Sequence, residues 1–446
     1  MRKVIYTAGL IGALAAFSSC KKYLDIVPTG KVIPTTAEDF RKELDAAYAS
    51  TDGDKGLASF RSDEIRLNDA RSTEVNQLQP NYQWDENGGG SGGKTYQWRT
   101  KYQQIFYAND IIHSVPGIKE GTEEQKNQLI GEALLLRAMI HFNLVNLYGK
   151  PYNEATYATD KAVPMVLEID MEKERRRNTV KEIYDQVRSD IEKGLSLVNV
   201  DQFETLNSYR FTRTAGYALA ARVYLYTHQW DKSLAAAKAV LEKKSTLIDF
   251  NTSNTLPTLY NSPESILALE QHYNSGVFMQ GAFVSDKLYA LYNATGDLRP
   301  NLYYKKDSKN NNIIIKVANS NSYRQSFRVA EMYLIAAEAS AQLNQPAQAL
   351  NYLNQLKKNR LTPDFYQTET ARTAPLTGAA LLNEIYDERA RELSFEGHRW
   401  FDLRRTSQPE ISHTVKGKTV VLQAGDPRYT IKIPTEAVVN NPLLTD

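Results

Sequence analysis

The stretch EIYDERARELSFEGHRWFDLRR, Glu384 to Arg405, limits the folds open to this chain more than any other segment. Four Glu and five Arg stand among Leu393, Phe395, Trp400 and Phe401. On a helical wheel Leu382, Tyr386, Leu393 and Trp400 share one face, Arg389 and Glu396 fall within it, and Glu392 flanks it. Charges aimed into an apolar face must be paired, because an unpaired buried ion is costly or is neutralised by a shifted pKa. The pattern predicts a buried ionic network of Glu388, Arg389, Glu392, Glu396 and Arg399, with Arg391, Arg404 and Arg405 as further partners. Such a network locks a C-terminal helix onto a larger body. The four-residue recurrence of Glu388, Glu392 and Glu396 also invites an acid/base reading, but an inward-facing, arginine-flanked trio favours structure over chemistry.

Apolar periodicity predicts a mainly α fold. Helices are expected from about Thr36 and Ala37, at 98–114, 123–148, 178–197, 213–228, 230–243, 326–343, 346–360 and 378–398. Two pairs resemble one another: a shift of 116 residues lays Tyr217, Ala220, Ala221, Gln229 and Leu234 on Tyr333, Ala336, Ala337, Gln345 and Leu350. A helix rich in Ala and Tyr, a short turn and a second helix match the packing logic of tetratricopeptide-like repeats, with 131–148 as a further member. Long stretches at 52–97, 244–325 and 406–446 are expected to be irregular and to hold the exposed chemistry. Short strand patterns at Val420–Leu422 and Tyr429–Ile433, flanking GDPR, predict a small hairpin.

The N-terminus reads as an export signal: Met1-Arg2-Lys3, an apolar run from Val4 to Phe17, then Ser18, Ser19 and the only cysteine, Cys20. The run is too short to span a bilayer comfortably, and FSSC resembles a bacterial lipobox. Residues 1–19 are therefore expected to be a lipoprotein signal peptide, Cys20 the lipidated residue, and 20–446 one domain with an extended leader over 20–35. Removing the signal leaves 52 basic and 52 acidic residues, a balance that offers no footprint for nucleic acid.

Catalytic signatures are weak. Gly89-Gly90-Ser91-Gly92-Gly93 has the form of a nucleophile elbow, and Gly88, Gly90 and Gly93 that of a dinucleotide turn. The flanks QWDEN and KTYQW lack the required strand and helix, so a loop is expected. The six histidines, His113, His141, His228, His272, His398 and His413, show no metal-ligand spacing, and neither metal nor cofactor is expected.

The stretch ERARELSFEGHRWFDLRR resembles the signature of the SusD/RagB family of Bacteroidota surface lipoproteins. KKYLDIVPTG, YQQIFYANDII, GEALLLRAMIHFNLVNLYGKPY, FRVAEMYLIAAEA and IPTEAVVNNPLL follow the family's order over essentially the whole mature chain. Departures are Phe17 and Ser19 in the lipobox, Lys21 and Lys22 after it, and no closing Gln-Asn after Leu444. The resemblance implies four tetratricopeptide-like helix pairs with a loop-rich remainder. It also implies a non-enzymatic, lipid-anchored, surface-exposed outer-membrane protein that captures a glycan or oligosaccharide and delivers it to a SusC-like TonB-dependent transporter.

Sugars expose C–H faces that stack on aromatic rings. Tyr82, Trp84, Tyr273, Phe278 and Tyr292, on the two long loops, are the expected ligand platforms, whereas Trp98, opening a helix, is expected to be buried. The competing readings are a non-catalytic envelope scaffold, a surface glycan hydrolase, and a peptide-binding member of the same family.

Overall fold

The structure, a computed structural model, describes residues 34–49, 53–85, 93–170 and 173–445. The expected signal peptide 1–19, Cys20, most of the leader and all of the glycine run but Gly93 lie outside these residues. Eleven helices among them have ten or more residues: α1 Ala37–Ala49, α2 Ser72–Tyr82, α3 Trp98–Ser114, α4 Glu123–Tyr148, α5 Val180–Leu197, α6 Arg213–Tyr226, α7 Trp230–Lys243, α8 Val329–Gln342, α9 Pro346–Lys358, α10 Pro363–Thr373 and α11 Gly378–Glu392. The four small sheets each have two strands. The fold is mainly α with tetratricopeptide-like helical hairpins.

Local chemistry sets the helix starts. Thr122 caps α4 by accepting from Gln125 N at 3.2 Å, while its own N–H donates to the Gln125 side chain at 2.9 Å. Thr179 and Glu182 make the same reciprocal pair at the start of α5. Helix α4 is long and apolar enough to cross a membrane by composition, but 94% of its apolar window is buried by its neighbours. Apolar residues on every side mark a core helix as readily as a membrane span.

The 116-residue relation reappears in backbone geometry. His228 and Asn344, one such shift apart, close the α6–α7 and α8–α9 turns at φ 55° and 57°. Gln229 N donates to Tyr224 O at 2.9 Å, and Gln345 N to Ser340 O at 2.8 Å. The turns are the same structure built from different residues. Small residues permit close helix approach: a Cβ at Gly194 of α5 would lie 2.9 Å from Leu135 Cγ and 3.1 Å from Gly131 O of α4.

The structure corrects three local expectations. Helices Asp54–Ser59 and α2 occupy the stretch read as irregular. The terminal hairpin pairs Ile411–Val415 with Lys418–Leu422, not Val420–Leu422 with Tyr429–Ile433. Lys416 and Gly417, at φ 49° and 75°, make its two-residue turn, while Asp426 caps a 3-10 turn over Pro427–Tyr429. Helix α11 stops at Glu392 rather than running to 398, because Phe395 and Gly397 adopt φ 59° and 73° before Arg399–Arg405 resumes as a helix. The buried face of α11 is Leu381, Glu384, Ile385, Glu388, Arg389 and Glu392, with Leu382 and Tyr386 at its half-buried margin.

Candidate functional site

The charged stretch contributes to three clusters. Glu392 accepts from Arg299, Arg328 and Arg360 at 2.8–3.2 Å. Glu388 takes Arg299 at 2.6 Å and Arg391 at 2.8 Å, and Glu396 takes Arg328 at 2.8 Å together with Lys316. Arg389 pairs with Asp402 at 3.1 Å, and Arg399 with Asp63 at 2.6 Å. Most partners of the glutamates thus come from distant segments rather than from the neighbouring arginines, of which only Arg391 reaches Glu388. Arg404 bonds backbone instead, donating to Tyr429 O at 2.9 Å and to Gly149 O beyond the end of α4. Burial pushes the Glu388 and Glu392 carboxyls up, but the surrounding guanidinium groups reverse this and hold both well below the usual carboxylate range. Fully ionised and saturated by cations, they form a structural lock.

The five loop aromatics are all buried. Tyr82 and Trp84 stack on His413 with ring centroids 3.9 and 4.4 Å away. Trp84 Nε1 donates to Arg61 O at 2.9 Å. Tyr273 packs against Phe278 and Phe395, and Tyr292 donates to Arg391 O at 2.7 Å. Tyr273, Phe278 and Tyr292 are 1%, 4% and 8% exposed and Tyr82 and Trp84 both 2%, so these rings present no free face for a sugar.

An open groove of about 1220 Å³ lies elsewhere, between α3, residues 164–170 and 173–175, and the segment 431–444. Trp98, Tyr102 and Phe106 line it at four-residue spacing along α3. Trp98 is half-buried rather than buried: its ring lies 4.9 Å from Tyr102 and edge-on to Tyr148 at 5.1 Å. Asp54 Oδ1 accepts from Gln97 N at 3.0 Å, fixing the start of the helix. Tyr102 donates to Pro164 O at 3.0 Å, tying the second wall to α3, and burial raises its phenol well above the ordinary value, so it stays neutral.

Polar groups complete the groove. Asn81 Nδ2 donates to Lys94 O at 2.9 Å, while its Oδ1 is buried without a partner. Asn441 Nδ2 donates to Arg175 O at 2.8 Å, and Ile431 N donates to Leu147 O at 3.1 Å, anchoring the third wall to the core. Rigid rings on one side and amide and charged groups on the other suit a ligand with flat apolar faces and many hydroxyls. Among the described residues no group of three or more His, Cys, Asp or Glu is placed to hold a metal ion.

A family profile described as "Starch-binding associating with outer membrane" matches residues 22–225. Over that segment the chain is similar to the SusD-like family. Among SusD-like relatives, one from Formosa agariphila is 23% identical over 94% of each chain, and a second from that organism is 25% identical over 87% of each. A SusD superfamily crystal structure from Bacteroides fragilis superposes with a TM-score of 0.77 at 23% identity, covering 93% of this chain and 100% of that one. A laminarin-binding SusD-like protein superposes at 0.63, with 20% identity over 84% and 92% of the two chains. The SusD-like fold thus supplies the scaffold on which α3 carries the groove.

The groove residues were hidden in plain sequence. Lys101, Gln104, Ile105, Ala108 and Ile111 form the buried face of α3, so the spacing of Trp98, Tyr102 and Phe106 marks a second apolar stripe on the same helix. The second stripe packs on the core at Trp98 and Tyr102 and leaves it at Phe106.

Proposed function

We propose that this protein binds a glycan in the groove along α3 and passes it to a partner TonB-dependent transporter of the outer membrane. The observation that carries the reading is the row of half-buried Trp98, Tyr102 and Phe106 lining one wall of a large groove. The family description as starch-binding and outer-membrane-associated, and a laminarin-binding structural relative, point the same way. Anchorage through a lipidated Cys20 at the cell surface, ahead of one domain, belongs to this proposal. The helical hairpins are the face offered to the transporter, since repeat arrays present extended surfaces. An aromatic-lined groove favours capture of a ligand over the pure scaffold reading.

The test is retention of the purified protein on a panel of polysaccharides in affinity gels, with Trp98→Ala and Trp84→Ala beside it. Retention weakened by Trp98→Ala, with no sugar released, supports capture at the groove. No retention on any polysaccharide refutes it. Co-purification of a barrel transporter with the tagged protein tests the delivery step.

A further inference from the structure

The aromatic groups of the groove form one row on one helix. Each four-residue step from Trp98 to Tyr102 to Phe106 advances about 6 Å along α3 and turns about 40°, so the row is a gently inclined strip roughly 12 Å long. Trp98 and Tyr102 pack on the hydrophobic core, but Phe106 stands outside it. Phe106 is half-buried, its ring lies 6.0 Å from Tyr107 in an edge-on arrangement, and it lines the groove. A phenylalanine outside the core leaves apolar surface that a ligand running along the helix would remove from water. Asn81 also lines the groove, its Nδ2 bonded to Lys94 O at 2.9 Å.

From this row we infer that the groove takes an extended, linear glycan of about three or more units laid along α3, in preference to a coiled one, with Phe106 as the far aromatic contact. The inference rests on the glycan-binding reading above and specifies its ligand class. In an extended chain of equatorially linked pyranoses, successive rings advance by about one helix turn each and keep their C–H faces in line. A coiled chain wraps its rings about an axis, so it meets an arc of aromatic groups and touches a near-straight strip at only one or two rings. The strip therefore rewards length in an extended chain and not in a coiled one.

Calorimetry with cello-oligosaccharides and malto-oligosaccharides of two to six units tests this, using the whole protein and Phe106→Ala, whose unfolding midpoint is checked first. The expected result is an affinity that rises at least ten-fold from cellobiose to the longer cello-oligosaccharides and exceeds that for maltohexaose. Phe106→Ala should remove most of that rise, weakening the longer cello-oligosaccharides more than cellobiose. Equal affinity across the cello series, maltohexaose bound as tightly as cellohexaose, or equal weakening of short and long chains by Phe106→Ala would each overturn the inference. So would failure to bind either series by a protein that still retains a polysaccharide in the gel assay. Failure to retain any polysaccharide refutes the underlying glycan reading itself, and the inference with it.

Discussion

Replacing Glu392 by Gln tests whether the buried charges hold the fold. The carboxylate is shared by Arg299, Arg328 and Arg360, and none of the four side chains is more than 2% exposed. Glutamine keeps the shape but presents one amide oxygen and one NH2 group to three guanidinium donors. The arginines are left with Asp297, Glu388, Glu264 and Glu396, of which Glu388 and Glu396 also serve Arg391 and Lys316, so five cations face four carboxylates and a unit of positive charge is uncompensated. Breaking a buried pair in this way costs about 3–5 kcal/mol. Equilibrium urea unfolding followed by near-UV circular dichroism would read the loss as a lower midpoint with unchanged slope. Burial raises the Glu392 pKa, but Arg360, Arg328 and Arg299 outweigh it, leaving a net lowering. Its contribution is thus present above the unfolded value of about 4.3 and is lost as pH falls through the folded one. The deficit of the variant should be constant from pH 5 to 8 and shrink in stronger acid. The exposed Glu38–Lys42 pair is the control, and Glu38→Gln should have no measurable effect. A loss under about 1 kcal/mol for Glu392→Gln would refute the reasoning, because it would equate the buried network with a surface pair.

Trp98→Ala should weaken glycan binding by about 2 kcal/mol, roughly thirty-fold in Kd, with the fold intact. Trp84→Ala should instead cost about 3–5 kcal/mol of stability by emptying the stack on His413, without a selective effect on binding. Glu64 is pushed up to about 7 by burial, despite the backbone N–H of Phe395 that it accepts at 3.1 Å. A raised carboxyl pKa contributes stability below the unfolded value that is lost as pH rises through 7, so Glu64→Gln should gain about 3 kcal/mol over the parent at pH 8 and little at pH 4. His141 donates from Nδ1 to Arg137 O at 3.1 Å and accepts from Val166 N at 3.5 Å, which suits the neutral ring. Burial lowers it to about 4, so stability falls as pH drops from 6.5 to 4, and His141→Gln should flatten that slope in acid unfolding. Gly56→Ala would place a Cβ 1.8 Å from His272 O, and a loss of about 1–3 kcal/mol or more is expected in thermal melts.

The long helices were legible because their signals are local. Threonine caps, apolar periodicity and the Ala-rich hairpins at a 116-residue offset act over a few turns, so 98–114, 123–148 and 230–243 end where the pattern ends. Helix α2 was missed because it carries Pro80 and few apolar residues, and packing rather than propensity holds it. The loop aromatics misled for the converse reason. Tyr82 and Trp84 look exposed beside a glycine run, yet a histidine of the terminal hairpin, more than 300 residues away, stacks on both rings and covers them.

By itself the sequence determined the helical class, the hairpin repeats, the family signature and the need for the charges of 384–405 to be paired, since periodicity and the cost of a buried ion are properties of short segments. Only the tertiary structure decided which cations do the pairing, that Trp84 is packing and that Trp98 lines a groove. Those outcomes depend on contacts such as Arg328 with Glu392 and Ile431 with Leu147, between residues that no local pattern relates. A helix with two apolar stripes has more apolar surface than one neighbour can cover, and the packing of the whole chain settles how far along the second stripe the core reaches, here to Tyr102 but not Phe106.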